Sequence, residues 1–134
     1  MKKVLILCTG NSCRSIIAEA LINKKFDKQI EAHSSGVKAS GKVNENAKKV
    51  LEQNGCWKES YHSKNIDKVL DIDFDLVVTV CDNAKESCPI FPKDVKVLHV
   101  GFEDPDKKEF NEFEKTFNLI KEKLLPIIKK ELLI

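Results

Sequence analysis

Val4-Leu5-Ile6-Leu7 places apolar side chains at four consecutive positions, with no polar residue between them. A strand with one face in water alternates apolar and polar residues, whereas an unbroken apolar run must be covered on both faces. This run therefore reads as a central strand of a parallel sheet, and parallel strands require crossover helices. The rest of the chain supplies them. Residues 15–25 carry a helical pattern with Ile16, Ile17, Ala20 and Leu21 toward the core. A weaker strand is expected at 30–34, ending in a turn at Ser35-Gly36. A helix is expected at 44–53, closed by Asn54-Gly55. Strands follow at 74–80 and 95–100. Phe110, Phe113, Phe117, Ile120, Leu124 and Ile127 recur every three or four residues, giving a long last helix that Pro126 is expected to kink or end.

The expected fold class is α/β: a four-stranded parallel sheet, in order 2-1-3-4, with helices on both faces. The right-handed crossover rule and the buried first strand give that order. At 134 residues the chain is one domain, 1–134. Its 42% hydrophobic and 33% charged residues suit one core and argue against disorder. A net charge of +2 is too balanced for nucleic-acid or membrane-surface binding by bulk electrostatics. No apolar run reaches the roughly 20 residues of a membrane helix. Met1-Lys2-Lys3 before 4–7 looks like the start of a signal peptide. The apolar stretch falls short of the usual ~7–15 residues, and no small-residue cleavage site follows. The expectation is a cytoplasmic protein, a monomer needing no cofactor.

Five cysteines require a reason. A secreted disulfide scaffold is shorter, richer in cysteine and evenly counted. Inside a cell the choices are metal, catalysis, redox chemistry or core packing. Ligands of open parallel sheets bind beyond the carboxyl ends of the strands. Cys8, Ser34 with Ser35, Cys81 and residues 101–104 each follow a different expected strand.

The strongest motif is Cys8-Thr9-Gly10-Asn11-Ser12-Cys13-Arg14-Ser15, between a strand and a helix. Gly10 allows tight curvature, and successive amides can then point inward as an anion nest. The following helix adds the positive end of its dipole. The planar fork of Arg14 matches two oxygens of a tetrahedral oxyanion. The same field lowers the pKa of a thiol, so Cys8 is expected to be a thiolate nucleophile, with Ser15 donating a hydrogen bond to it. Cys13 is either a loop-shaping residue or a redox partner of Cys8, and Cys56 is structural or incidental.

Cys81 and Cys88 form a second pair. No further ligand stands at zinc-binding spacing, and His33, His62 and His99 are scattered singly. Redox chemistry fits better, because Cys81 ends a strand at the active edge. Were 81–88 helical, seven residues would turn ~700° and leave the Cα atoms about 10 Å apart. A disulfide needs less than ~7 Å, so the segment would have to bend to form one. Pro105 keeps Asp104 out of helical geometry, where its carboxyl can act as a general acid.

Together these residues resemble the thioredoxin-coupled arsenate reductases, which share the fold of the low-molecular-weight protein tyrosine phosphatases. The resemblance rests on 8–15, Ala18-Glu19, Ser34-Ser35-Gly36, 75–81, Cys88-Pro89 and Gly101-Phe102-Glu103-Asp104-Pro105. The phosphatases share the first loop and the Asp-Pro pair. They also carry tyrosines after that pair, where this chain has Asp106-Lys107-Lys108. The resemblance implies that Cys8 attacks arsenate held by Arg14 and residues 9–15, with phosphate as an analogue, and that Asp104 protonates the departing oxygen. It further implies that Cys81 and Cys88 relay the resulting disulfide outward to thioredoxin. Asn11, Glu19 and Ser34 match part of a potassium site of some members. Near His62-Ser63 those members carry an aspartate, and this chain has Asn65. The competing readings are a phosphatase for phosphotyrosine or small phosphoesters, and a non-enzymatic oxyanion- or redox-responsive binding protein.

Overall fold

The computed structural model describes residues 1–82 and 90–134. Its elements are β1 (Lys2–Cys8), α1 (Arg14–Lys25), β2 (Ile30–Gly36), α2 (Glu45–Gln53), a one-turn 3-10 helix (Ile66–Lys68), β3 (Leu76–Thr79), β4 (Val97–His99) and α3 (Phe110–Glu131). The four strands form one parallel sheet in the order β2-β1-β3-β4, as expected.

β1 is central, with its side chains from Val4 to Leu7 buried on both faces of the sheet. Val4 and Ile6 enter a core shared with all three α-helices, while Leu5 and Leu7 enter a second cluster with Val69, Val77 and Phe91. Among the described residues the second face is covered by the 3-10 helix and by side chains such as Leu70, Ile72, Phe74 and Val95. On the first face, Phe113, Ile120, Leu124 and Ile128 of α3 are fully buried. Each such side chain contributes about 1.5–3 kcal/mol by leaving water. Among the described residues no helix is long and apolar enough to cross a membrane.

Several boundaries differ from the sequence reading. Ser35-Gly36 is not a turn but the last part of β2, paired in register with Leu7 and Cys8. That pairing is non-local and leaves no mark in the local pattern. β3 and β4 are shorter than expected, and β4 is an edge strand with Val97 exposed. α3 runs through Pro126 to Glu131. Pro126 lies on the exposed side, so the helix carbonyl it leaves without an amide partner can take water.

All four strands point the same way, so their carboxyl ends share one edge. Cys8 is opposite Gly36 there, Leu7 is opposite Thr79, and Thr79 is opposite His99.

Candidate active site

Residues 8–14 bridge the end of β1 and the start of α1. Their carbonyls are tied down from one side. Val37, Lys38, Ser40 and Asn44 donate backbone amides to the oxygens of Cys8 (3.2 Å), Thr9 (2.9 Å), Gly10 (2.9 Å) and Ser12 (3.0 Å). Ser63 Oγ adds a second bond to the Gly10 oxygen at 3.2 Å. A planar trans peptide sends its N–H opposite to its C=O. With these carbonyls held outward, the amides of Thr9, Gly10, Asn11 and Cys13 face inward as an anion nest.

The curvature lies one residue later than expected. Asn11, not Gly10, adopts the left-handed conformation, at φ 50°. Asparagine tolerates this region better than other residues with a Cβ. Its side chain is fully engaged: Nδ2 donates to Ser15 Oγ (2.8 Å) and Ser34 Oγ (3.0 Å), and Oδ1 accepts from the Lys64 amide (2.9 Å). Because Ser15 accepts from Asn11, its own proton is available to another acceptor, the arrangement that donation to a Cys8 thiolate would need. A Cβ on Gly10 would meet only Ser12 Oγ, at 3.8 Å. A Cβ on Gly36 would collide with the Thr9 carbonyl and stand 3.1 Å from the Asn11 amide nitrogen. The glycine this loop depends on is therefore Gly36, on the neighbouring strand.

Arg14 is buried at the first turn of α1. Nη1 donates to the Phe102 carbonyl at 3.1 Å, and Nη2 lies 3.4 Å from Asp104 Oδ2. Residues 100–102 continue the pairing beyond β4, with Val100 N to Thr79 O at 2.9 Å and Phe102 N to Val80 O at 3.1 Å. That pairing delivers the Phe102 carbonyl to Arg14. Asp104 is half-exposed, and its Oδ1 accepts from the Asp106 amide at 3.0 Å.

Cys8, Cys13 and Cys56 are reduced and buried. Burial pushes the Cys13 thiol up to about 12, against a smaller opposing effect of its Ser12 hydrogen bond. Cys13 thus stays protonated at neutral pH, which favours the loop-shaping role over nucleophilic chemistry. Cys81 is buried just past β3, the direct neighbour of β1. Cys88 lies outside the described residues. The histidines are occupied locally: His33 with Glu31 at 2.7 Å, His62 with the Ser60 carbonyl at 2.9 Å, and His99 with Thr79 at 2.8 Å. Among the described residues no three His, Cys, Asp or Glu side chains converge as a metal site.

The three side chains matched to a potassium site form a closed chain of hydrogen bonds instead. Ser34 Oγ donates to Glu19 Oε1 at 2.5 Å and accepts from Asn11, whose Oδ1 is already taken. Burial raises the Glu19 carboxyl above its usual range, and the positive charge of Lys64 is the largest opposing influence. Asn65 uses its Oδ1 on the Ala39 amide at 2.7 Å. Within this set Asn11 presents a donor, not an oxygen, to Ser34, and the one oxygen of its side chain is spent on the Lys64 amide. The set does not fit a potassium ion.

Sequence reasoning located the loop, Arg14 and Asp104 but not Gly36, Ser63, Asn44 or the Phe102 carbonyl. Of these, Gly36 and Asn44 carried local signals, as the end of a Ser-Ser-Gly run and as a helix start.

The amide nest beside Cys8, the buried Arg14 at the helix start and Asp104 across from it make a candidate site for an oxyanion next to a thiol. The chain belongs to the low molecular weight phosphotyrosine protein phosphatase family, whose pattern matches residues 3–132. It is 39% identical to arsenate reductase 2 of Staphylococcus haemolyticus over 120 residues, 90% of this chain and 91% of that one. It is 40% identical to an arsenate reductase of Bacillus cereus over 123 residues, 92% of this chain and 91% of the other. The crystal structure of arsenate reductase from Archaeoglobus fulgidus superposes with a TM-score of 0.82 at 34% identity, covering 93% of this chain and 98% of that one.

Proposed function

We propose that the chain reduces arsenate to arsenite through Cys8, Cys81 and Cys88, with a dithiol partner of the thioredoxin class closing the cycle. The observation that carries the reading is the strand order. β3 is the direct neighbour of β1, and Leu7 is opposite Thr79, so a second cysteine follows the strand beside the nucleophile. Kinship with arsenate reductases over nine-tenths of the chain supports it.

Arsenate enters the amide nest and Arg14 holds two of its oxygens. The Cys8 thiolate attacks arsenic. Asp104 gives its proton to the oxygen that departs as water, leaving a sulfur–arsenic(V) adduct. The Cys81 thiolate then attacks the Cys8 sulfur. The sulfur–arsenic electron pair stays on arsenic, which leaves as arsenite. Arsenic has gained two electrons, and the two cysteines have lost two in forming a Cys8–Cys81 disulfide. Cys88 attacks Cys81, displaces the Cys8 thiolate and leaves a Cys81–Cys88 disulfide for the external dithiol to reduce.

The intact mass of reduced protein after mixing with arsenate tests this reading. A loss of two hydrogens, mapped to these cysteines, is expected. An unchanged mass, with phosphate released from an aryl phosphate, would favour the phosphatase reading. The family match and the shared Cys8, Arg14 and Asp104 chemistry already support that reading as the second choice.

A further inference from the structure

Asn44 uses every polar group it has, and its position at the start of α2 explains only some of those uses. Its Oδ1 caps the helix, accepting from the amides of Asn46 (2.8 Å) and Ala47 (3.3 Å). Its carbonyl accepts from Lys48 at 3.0 Å, and its amide donates to the Ser12 carbonyl of the nucleophile loop at 3.0 Å. The remaining group, Nδ2, donates to Asp106 Oδ1 at 3.0 Å. Asp106 in turn gives its amide to Asp104 Oδ1 at 3.0 Å.

Capping does not select this residue, because Asn, Asp and Ser cap helices about equally well. The bond to Asp106 does. It needs an acceptor and a donor on one short side chain. Serine has a single oxygen, and aspartate has no donor and would face Asp106 with like charge. The turn after Asp104 has few other anchors. Its Lys108 amide bonds back to Pro105 and the Lys108 ammonium to Glu103, both within the turn. Among the hydrogen bonds and ion pairs of the described residues, the Asn44 bond is the one tying 105–108 to another part of the molecule.

We propose that Asn44 is a positioning residue that fixes the Asp104 turn against the nucleophile loop. One residue holds Ser12 by its backbone and Asp106 by its side chain, so the two halves of the site share one reference point. The inference rests on Asp104 being the proton donor. Misplacing a reacting group by about 1 Å can cost ~10²-fold, so severing one outer tether is expected to slow the acid-dependent step about tenfold.

The test uses Asn44→Ser, Asn44→Asp and the pair Asn44→Asp with Asp106→Asn. Both single changes keep a helix cap; aspartate carries no donor, and the serine hydroxyl stops one bond short of the Nδ2 that reaches Asp106. The pair exchanges donor and acceptor and restores the bond at unchanged net charge. Amide hydrogen exchange at 106–108 in reduced protein needs no activity. It should quicken in both single variants and return to wild type in the pair. The rate of thiol loss at saturating arsenate should fall about tenfold in the single variants and recover in the pair. Inhibition of Asn44→Ser by inorganic phosphate should change less than about twofold, and melting temperatures should stay within about 4 °C of wild type. Wild-type exchange and rates in Asn44→Ser, or a pair no better than Asn44→Asp, would overturn the proposal. Should wild-type protein lose no thiols with arsenate, the functional reading fails, and exchange alone decides the tether.

Discussion

Arg14 and Asp104 stand 3.4 Å apart, nitrogen to oxygen, with the arginine buried and the aspartate half-exposed. The arginine is additionally held by the Phe102 carbonyl, two residues before that aspartate. The proposed oxyanion clamp and the proposed acid are thus one unit. Asp104→Ala should slow arsenate-driven thiol loss about 10²–10⁴-fold, the usual contribution of a general acid. Phosphate inhibition should persist, since Arg14 and the amide nest remain. An unchanged rate would remove Asp104 from the mechanism.

Cys8→Ser should abolish arsenate reduction and any aryl phosphate hydrolysis, because a serine hydroxyl stays protonated where a thiolate is needed. Arg14→Lys should be severely impaired, since a point charge does not replace a bidentate fork. Alkylation at pH 7 should mark Cys8 and spare Cys13, whose buried thiol is pushed up to about 12. Turnover by Cys8→Ser would sink the mechanism.

Wild-type protein should hydrolyse a small aryl phosphate slowly, because phosphate and arsenate are near-isosteric. Cys81→Ser and Cys88→Ser should lose arsenate turnover and keep that hydrolysis. Continued thioredoxin-dependent reduction in both variants would end the three-cysteine relay and strengthen the phosphatase reading.

Gly36→Ala should cost about 2–3 kcal/mol or more, as a methyl group forced against the backbone of Thr9 and Asn11 overpacks the site. Gly10→Ala, with open space and no left-handed backbone, should cost far less. Urea unfolding of the two variants gives the comparison. Equal losses would show that the close approach is relieved elsewhere.

The raised pKa of Glu19 gives a pH dependence of defined sign. Between 4.5 and its higher folded value, the native carboxyl holds more proton than the unfolded one. Stability contributed by this group is therefore full below 4.5 and declines as pH rises. Glu19→Gln keeps an acceptor for Ser34 and removes the titration, so its melting temperature should fall less from pH 4.5 to 7 than that of wild type. Parallel pH profiles would contradict a raised pKa.

How much of this was legible in the sequence depended on whether the signal was local. The unbroken apolar run of β1, the periodicity of α3 and the Cys8–Ser15 spacing all lie within short windows. They yielded the sheet order and marked the 8–15 loop at the end of β1. The extension of β2 through Gly36 depends on pairing with β1, and the passage of α3 through Pro126 depends on which side faces water. Gly10 drew attention as the flexible residue in the motif. The strained backbone went to Asn11, because Ser15, Ser34 and Lys64 together hold its side chain. No window around residue 10 contains those last two partners.

The four amides that hold the carbonyls of the 8–14 loop come from residues 37–44, which follow β2 in the chain. A growing chain that has delivered Cys8 to the cell has not yet delivered the scaffold that organises its surroundings. On the proposed mechanism, the thiol until then lacks the nest, the helix end and the buried guanidinium that would favour its ionised form. On that mechanism, reactivity arrives with the fold. A partly made or unfolded chain carries an ordinary cysteine, poorly suited to attack and correspondingly safer from oxidation by bystanders.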